Sequence, residues 1–400
     1  MSFGIRLGDI SDLHTVVEQC DVELTQSKTG KSIRITVDDC LACSGCITSA
    51  ESILLETQSS DILIEKMKEE EKLFVSISPQ SVFSIATHLA MEPRDAYLHI
   101  VKLFQTLHQD VSFSDLSTEQ LISQRLFLMH YDKVYEPGKP LISSYCPGWV
   151  CYVEKFHPGT LDLLVPQVSP LIIAGILSKK NNSNAYHVSI QCCHDRKLEA
   201  IRPELRRQGK NMVDMVLTTT ELISLIDKTQ KMPIREYVRE NDVSDMTEEW
   251  NVAYGNSGGF SDLVYQYLEG DATVEWSETS KSDDFSVKRD GEACVVKAYG
   301  FQALINALLA LDSNQLKGLK VIEASACPHG CLNGGGQALM YNISNLHRMI
   351  DDYKSQELPF ESILSKSVLD IIIENDLEDL SHTTFEKREE SKQTISANDW

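Results

Sequence analysis

Short apolar runs separated by amphipathic stretches set the rhythm of this chain. LFVSIS (73–78) reads as a buried strand. Ser78 and Pro79 follow it, a hydroxyl that can cap a helix and a ring that suits the first helical turn. Pro93 breaks that helix, and Tyr97, Ile100, Phe104 and Leu107 continue at helical spacing. LISS (141–144), HVSI (187–190), MVLT (215–218), EACVVKAYG (292–300) and LKVIEASA (319–326) read as further strands. Thr219 or Thr220 is placed to cap the helix ELISLIDK, and Phe301, Leu304, Ile305 and Leu308 make an apolar stripe on another helix. Such alternation predicts an α/β fold with mainly parallel sheets flanked by helices.

The pattern divides into three parts. Residues 1–70 form a small N-terminal domain, ending at the charge run EKMKEEEK (65–72), whose plainer reading is a solvated helix face. Residues 71–375 carry the strand–helix alternation. Within them, about 229–250 and SETSKSDDFSVKRDGE (277–292) read as insertions or linkers. From residue 376 to 400 the chain is charged and poor in aromatics, so it reads as a mobile acidic tail. No internal repeat is visible.

Charge narrows the function. The 400 residues carry 37 Lys+Arg against 59 Asp+Glu, a net charge of −22. Non-specific binding to nucleic acid or to an anionic membrane needs the opposite sign, so neither is an expected partner. The opening MSFGIRLGDISDLH has no apolar secretory core and little Arg, and no run approaches the roughly 18 apolar residues of a membrane helix. A cytosolic or nuclear address follows. There the eleven cysteines should be reduced, and an odd number excludes complete internal pairing. Clustered cysteines then point to metal or catalysis rather than to disulfides.

CLACSGC (40–46) sets three thiols two residues apart. Thiolates so spaced can take adjacent corners of one cubane, whereas a single zinc ion usually takes separated CxxC pairs. Cys20 is the nearest remaining cysteine. Cys20, Cys40, Cys43 and Cys46 therefore compose a candidate [4Fe–4S] site, with structural zinc as the rival.

A second set emerges from the strands. LISSYC ends in Cys146, HVSIQCC in Cys192 and Cys193, and LKVIEASAC in Cys327, with Cys331 four residues on. Ligands of open α/β sheets bind beyond the carboxyl ends of the strands, so the fold would gather these thiols into a second cubane site. Ordinary buried cysteines are the alternative. Gly334, Gly335 and Gly336 follow Cys331, and such a turn lets backbone approach a bound group closely. A phosphate cradle is the weaker reading, since no GK[ST] follows.

The motifs together resemble the iron-only hydrogenase-like proteins, in particular their eukaryotic branch of cytosolic iron–sulfur assembly factors, also called nuclear prelamin A recognition factor-like. DDCLACSGCITSAE (38–51) is similar to the N-terminal motif of that branch. SSYCPGWV (143–150), CHDRKLEA (193–200) and ACPHGCLNGGGQ (326–337) resemble the three motifs that hold the catalytic cluster of the hydrogenases. The resemblance implies two [4Fe–4S] clusters, one on Cys20, Cys40, Cys43 and Cys46, the other on Cys146, Cys193, Cys327 and Cys331. It selects Cys193 over Cys192 by the spacing to Glu199, and sets Arg196 where the motif has Lys.

Departures from the hydrogenases bear on activity. The proton-relay Cys before the first ligand is Tyr145, whose phenol has a reference pKa near 10. Gln191-Cys192 stands for Met-Pro, Ser325 for Met and Ala338 for Pro. The relay and much of the surroundings of a di-iron unit are gone, so no hydrogenase activity is expected. The implied role is a non-enzymatic component of cytosolic iron–sulfur assembly that helps deliver clusters to cytosolic and nuclear apo-proteins. The terminal SANDW resembles the tripeptide that engages the cytosolic iron–sulfur targeting complex, with its WD40-repeat platform protein. On that resemblance Asp399 and Trp400 are partner-binding residues.

Overall fold

The computed structural model describes residues 57–181, 184–253, 255–269, 285–290, 293–312, 318–338 and 343–388. Two four-stranded sheets organise them. The first holds β1 (Leu73–Ile77), β2 (Val111–Ser114), β4 (Tyr186–Gln191) and β5 (Met215–Thr218) in the order β2-β1-β4-β5, all parallel. The second holds β3 (Leu141–Ile142), β6 (Phe285–Asp290), β7 (Ala293–Tyr299) and β8 (Leu319–Ser325) in the order β3-β8-β7-β6. There only the edge strand β6 is antiparallel.

Side-chain alternation splits the core into layers. Val216 of β5 and Leu141, Val295 and Val321 of the second sheet face a shared inner core. Helices Ser117–Val134, Pro170–Asn181 and Phe260–Glu269 fill it. Their neighbours Met215, Leu217, Ile142, Val296 and Ile322 point outward, into two cores capped by the remaining helices. Both faces of each sheet are thus covered, which is why β1 is buried at every position.

Local signals account for most element starts. Ser78 caps helix Pro79–Leu89, accepting the Ser81 N–H at 3.2 Å, with Pro79 in the first turn. The cap of helix Thr219–Gln230 is Thr218 rather than Thr219 or Thr220. Thr218 accepts the Glu221 N–H, and Glu221 returns the bond at 2.8 Å. That reciprocal pair needs an acidic residue three positions on, which only Thr218 has.

Several segments depart from the sequence reading. Helix Ser60–Glu69 buries Leu63 and Met67 in the core beneath β1, so the α/β unit begins before residue 71 and the charge run is its solvated face. Residues 229–250 are not a linker: Tyr237 and Val243 are buried against the first sheet, and Trp250 packs on Phe83 and Tyr97. Part of 277–292 is β6, and β2 had no apolar run to announce it.

The chain beyond residue 376 stays packed as far as Phe385. Leu377 is buried, the Thr383 N–H bonds Pro166 O at 3.1 Å, and Phe385 packs on the second sheet's outer core. A few anchors among many charges leave no period to read.

One buried acid makes stability depend on pH. Glu119 lies in the first turn of helix Ser117–Val134, 6% exposed, and accepts the Ser114 hydroxyl at 2.9 Å. Burial pushes its carboxyl up to about 7 from 4.5. The folded chain therefore holds this proton more tightly than the unfolded chain. Its contribution is full below pH about 4.5 and is lost as pH rises through about 7, a change of up to about 3 kcal/mol. Glu119→Gln is expected to raise stability at pH 8 relative to wild type and to leave it nearly unchanged at pH 4.5, measured by urea unfolding at both. Equal effects at the two pH values would sink the assignment.

Candidate metal centre

Three strand ends converge from two sheets. β3 runs out at Ile142, and Cys146 follows as the N-cap of helix Pro147–Phe156. β4 ends at Gln191, directly before Cys192 and Cys193. β8 ends at Ser325, and Cys327 and Cys331 flank a tight turn with His329 and Gly330 both at positive φ. The sequence expected thiols at these carboxyl ends, and the structure sets them in one buried place. Cys146, Cys192, Cys193 and Cys331 are buried and Cys327 is partly so.

Each thiol bears on the electrostatics of its neighbours. Burial, then the neighbouring Cys146, Cys193 and Cys331, raise the Cys327 thiol well above its ordinary value. Burial raises Cys146 to about 12, with Cys331 and Cys193 adding to it, although Cys146 Sγ accepts the Ala326 N–H at 3.4 Å. The neighbouring Cys193, then Cys331 and burial, raise the Cys192 thiol, while Cys331 is lowered to about 7, most by Cys192 and then, against burial, by Arg196 and Ser257. Without a cation the pocket must hold protons. A metal group supplies positive charge in their place.

Single-metal and cubane sites ask different things of their thiols. A single zinc needs every sulfur about 2.3 Å from one point. No set of three His, Cys, Asp or Glu among the described residues converges that tightly. A cubane instead takes each thiolate on a different corner, so its donors surround a larger body. Cys146, Cys193, Cys327 and Cys331 are the thiols whose electrostatics bear on one another. Cys192 packs with Cys193, Cys331 and Tyr145.

The space next to the thiols is filled. Arg196 lays its guanidinium 4.8 Å from the Tyr145 ring centroid and bonds Glu199 at 2.6 Å. The cavity left between Tyr145, Arg196, Gln80, Gln120, Gln191 and Tyr353 has room for about one water. Tyr145 keeps its proton, because burial raises its hydroxyl far above the ordinary range.

The glycine turn has a protein reason. A Cβ on Gly334 would stand 2.4 Å from Cys192 O, and the Gly336 N–H bonds that same oxygen at 2.9 Å. The turn closes over the backbone beside the thiols, so it is not shaped as a phosphate cradle.

Cys20, Cys40, Cys43, Cys46, Asp399 and Trp400 lie outside the described residues. Gln58, just after the N-terminal segment, is held to the site. Its amide donates to Lys197 O at 3.1 Å, its side-chain oxygen accepts the Val216 N–H at 3.0 Å, and its carbonyl accepts Lys197 Nζ at 2.6 Å. Sequence reasoning missed this link and also Ser257, whose hydroxyl accepts the Cys331 N–H at 2.7 Å. A single Gln or Ser carries no pattern that could have marked either.

Comparison with known proteins places this geometry. Residues 71–335 match the family model of the iron only hydrogenase large subunit, C-terminal domain. An [FeFe]-hydrogenase from Chlamydomonas reinhardtii superposes with a TM-score of 0.64 at 18% identity, covering 82% of this chain and 99% of that one. At that identity the likeness is one of fold. The probable cytosolic Fe-S cluster assembly factor oxy-4 of Caenorhabditis elegans is 33% identical, over 79% of this chain and 74% of that protein. The cytosolic Fe-S cluster assembly factor narfl of Xenopus tropicalis is 32% identical, over 76% and 72%. The fold is thus that of the iron-only hydrogenases. Within that fold the chain belongs to the family of cytosolic iron–sulfur cluster assembly factors. The relatives are named as assembly factors, not as hydrogenases. No helix among the described residues is long and apolar enough to cross a membrane.

Proposed function

We propose that this chain is a non-enzymatic component of cytosolic iron–sulfur assembly that carries two [4Fe–4S] clusters. Cys146, Cys193, Cys327 and Cys331 hold the inner one. Cys20, Cys40, Cys43 and Cys46 hold the other. The observation that carries the reading is the inner pocket itself: thiols from both sheets converge, while Tyr145 and Arg196 occupy the adjoining space. A bound cubane supplies electron storage and the charge that balances the thiolates. Four of the five thiols are buried, and Tyr145 and Arg196 pack on one another beside them. That combination suits holding a cluster and not turning over a small substrate.

The chain helps deliver clusters to cytosolic and nuclear apo-proteins, and Asp399 and Trp400 dock it to the WD40-containing targeting complex. The family membership and the fit of SANDW to a C-terminal docking motif support this reading.

The test is iron and acid-labile sulfide per chain on anaerobically prepared protein. About eight irons with matching sulfide are expected, falling to about four in Cys43→Ala. Zinc without sulfide would sink the reading.

A further inference from the structure

The first sheet closes one of its edges and leaves the other open. At the β5 edge the Gln58 side-chain oxygen takes the Val216 N–H. β2 is the opposite edge and pairs with β1 alone, in register from Leu73 against Val111 to Ser76 against Ser114. The Leu73 N–H bonds Asp110 O at 2.9 Å, and a parallel ladder bonds alternate residues. Val111 and Phe113 therefore turn their backbone N–H and C=O groups away from β1. No described residue bonds those groups. β2 is short, but its VSFS has no charge, proline or bulge, the other devices that blunt an edge.

A cleft of about 690 Å³ lies along this edge, with walls from opposite faces of the sheet. Ala174 of helix Pro170–Asn181 stands with Phe74 on the inner face. Tyr97 of helix Pro93–Leu107 stands with Val75 and Ile77 on the outer face, where the segment carrying Glu248 and Glu249 continues the wall. A space lined from both faces passes over the free edge of β2. An extended chain lying in it meets the Val111 and Phe113 backbone. No residue lines both this cleft and the cavity beside the thiols.

The charge of the cleft is one-sided. Asp110, Asp115, Glu119, Glu248 and Glu249 line it, against Lys72. None of these acids forms an ion pair with a described residue. Asp115 is held in place by the N–H groups of Ser117 at 2.9 Å and Asn251 at 2.8 Å, and Gln105 donates to Glu248 at 3.2 Å. With Glu119 protonated, four carboxylates still face one ammonium. Side chains of an added strand alternate toward the two walls, so lysines or arginines there meet carboxylates and acidic residues are repelled. We propose that this edge receives a lysine- or arginine-bearing extended segment of a partner protein as a fifth strand of the first sheet. Backbone pairing with Val111 and Phe113 supplies the hold, and the carboxylates select the sequence.

The experiment titrates the full chain, purified anaerobically, into a fluorescein-labelled peptide of alternating lysine and valine and reads anisotropy. Saturable binding is expected. It should weaken about tenfold or more when glutamate replaces lysine in the peptide, and likewise in the double variant Glu248→Lys with Glu249→Lys. N-methylation of every peptide amide should abolish it on the unaltered protein, because the methyls remove the donors of the added strand. Hydrogen exchange read by mass spectrometry should show the Val111 and Phe113 amides protected only when the peptide is present. No saturable binding overturns the proposal, and so does undiminished binding to the double variant. Undiminished binding of the N-methylated peptide also overturns it, since that is attraction by charge alone. Val111 and Phe113 amides already protected without peptide overturn it too. A segment of this chain then covers the edge, or a second copy does if protection grows with protein concentration.

Discussion

Cys193→Ala is expected to lose about four irons with the matching sulfide, while Cys192→Ala keeps them. The two residues are adjacent at the end of β4, so neither position nor burial separates them. Their partners do. Cys193 faces both Cys146 and Cys327, and with Cys331 these make a mutually repelling set of four. Cys192 acts on Cys193 and Cys331 and on the Tyr145 and Tyr353 hydroxyls, whereas the thiols named as raising Cys146 and Cys327 include Cys193 and Cys331.

The loss should extend to stability. Cys193 belongs to the first sheet, while Cys146, Cys327 and Cys331 follow strands of the second. A cluster on all four ties the sheets together, and metal binding free energy is then folding free energy. Cys193→Ala should lower the midpoint of thermal unfolding, and Cys192→Ala should not. Iron, sulfide and the thermal midpoint decide it together. The reverse result, with iron lost only from Cys192→Ala, would exchange the two ligands.

Arg202→Met should cost about 3–5 kcal/mol of unfolding free energy. Glu154 is fully buried in helix Pro147–Phe156, the helix that Cys146 begins. Arg202 pairs with its Oε1, and Arg202 Nε reaches Glu204 at 2.5 Å. Arg388 lies 2.9 Å from Glu154 Oε2, yet that oxygen has no hydrogen bond of acceptable geometry. The Arg388 contact is therefore an ion pair out of line, and Arg202 is the principal partner. Removing it leaves a buried carboxylate with one misaligned, partly exposed cation.

The double variant Arg202→Met with Glu154→Leu should recover much of the loss, because a buried pair can often be replaced by apolar groups at little cost. Urea unfolding of both variants gives the coupling. A loss under about 1 kcal/mol in the single variant is the figure for a surface pair, and would mean that the site is hydrated in solution.

How much of this was visible along the chain varied with the range of the interaction. β1, β4, β5, β7 and β8 were legible because each buries a contiguous run. β2 and β6 were not, since edge strands need no apolar run and are recruited by a neighbour. Helix Ile234–Glu240 hid for a similar reason, with two buried side chains among charges.

The thiols themselves could be read from the sequence. The strand reading placed Cys146, Cys192, Cys193, Cys327 and Cys331 at carboxyl ends, and parallel α/β topology does the rest. Local covalent order determined the residue types, the strand each thiol follows and the glycine turn. Tertiary structure alone decided that two separate sheets supply the pocket and that Cys192 packs with Cys193, Cys331 and Tyr145. It also decided that Arg196 lies on Tyr145 and that Ser257 reaches Cys331 from 74 residues away. Such contacts join segments that no sequence period relates, and they form only when both sheets have packed on their shared helices.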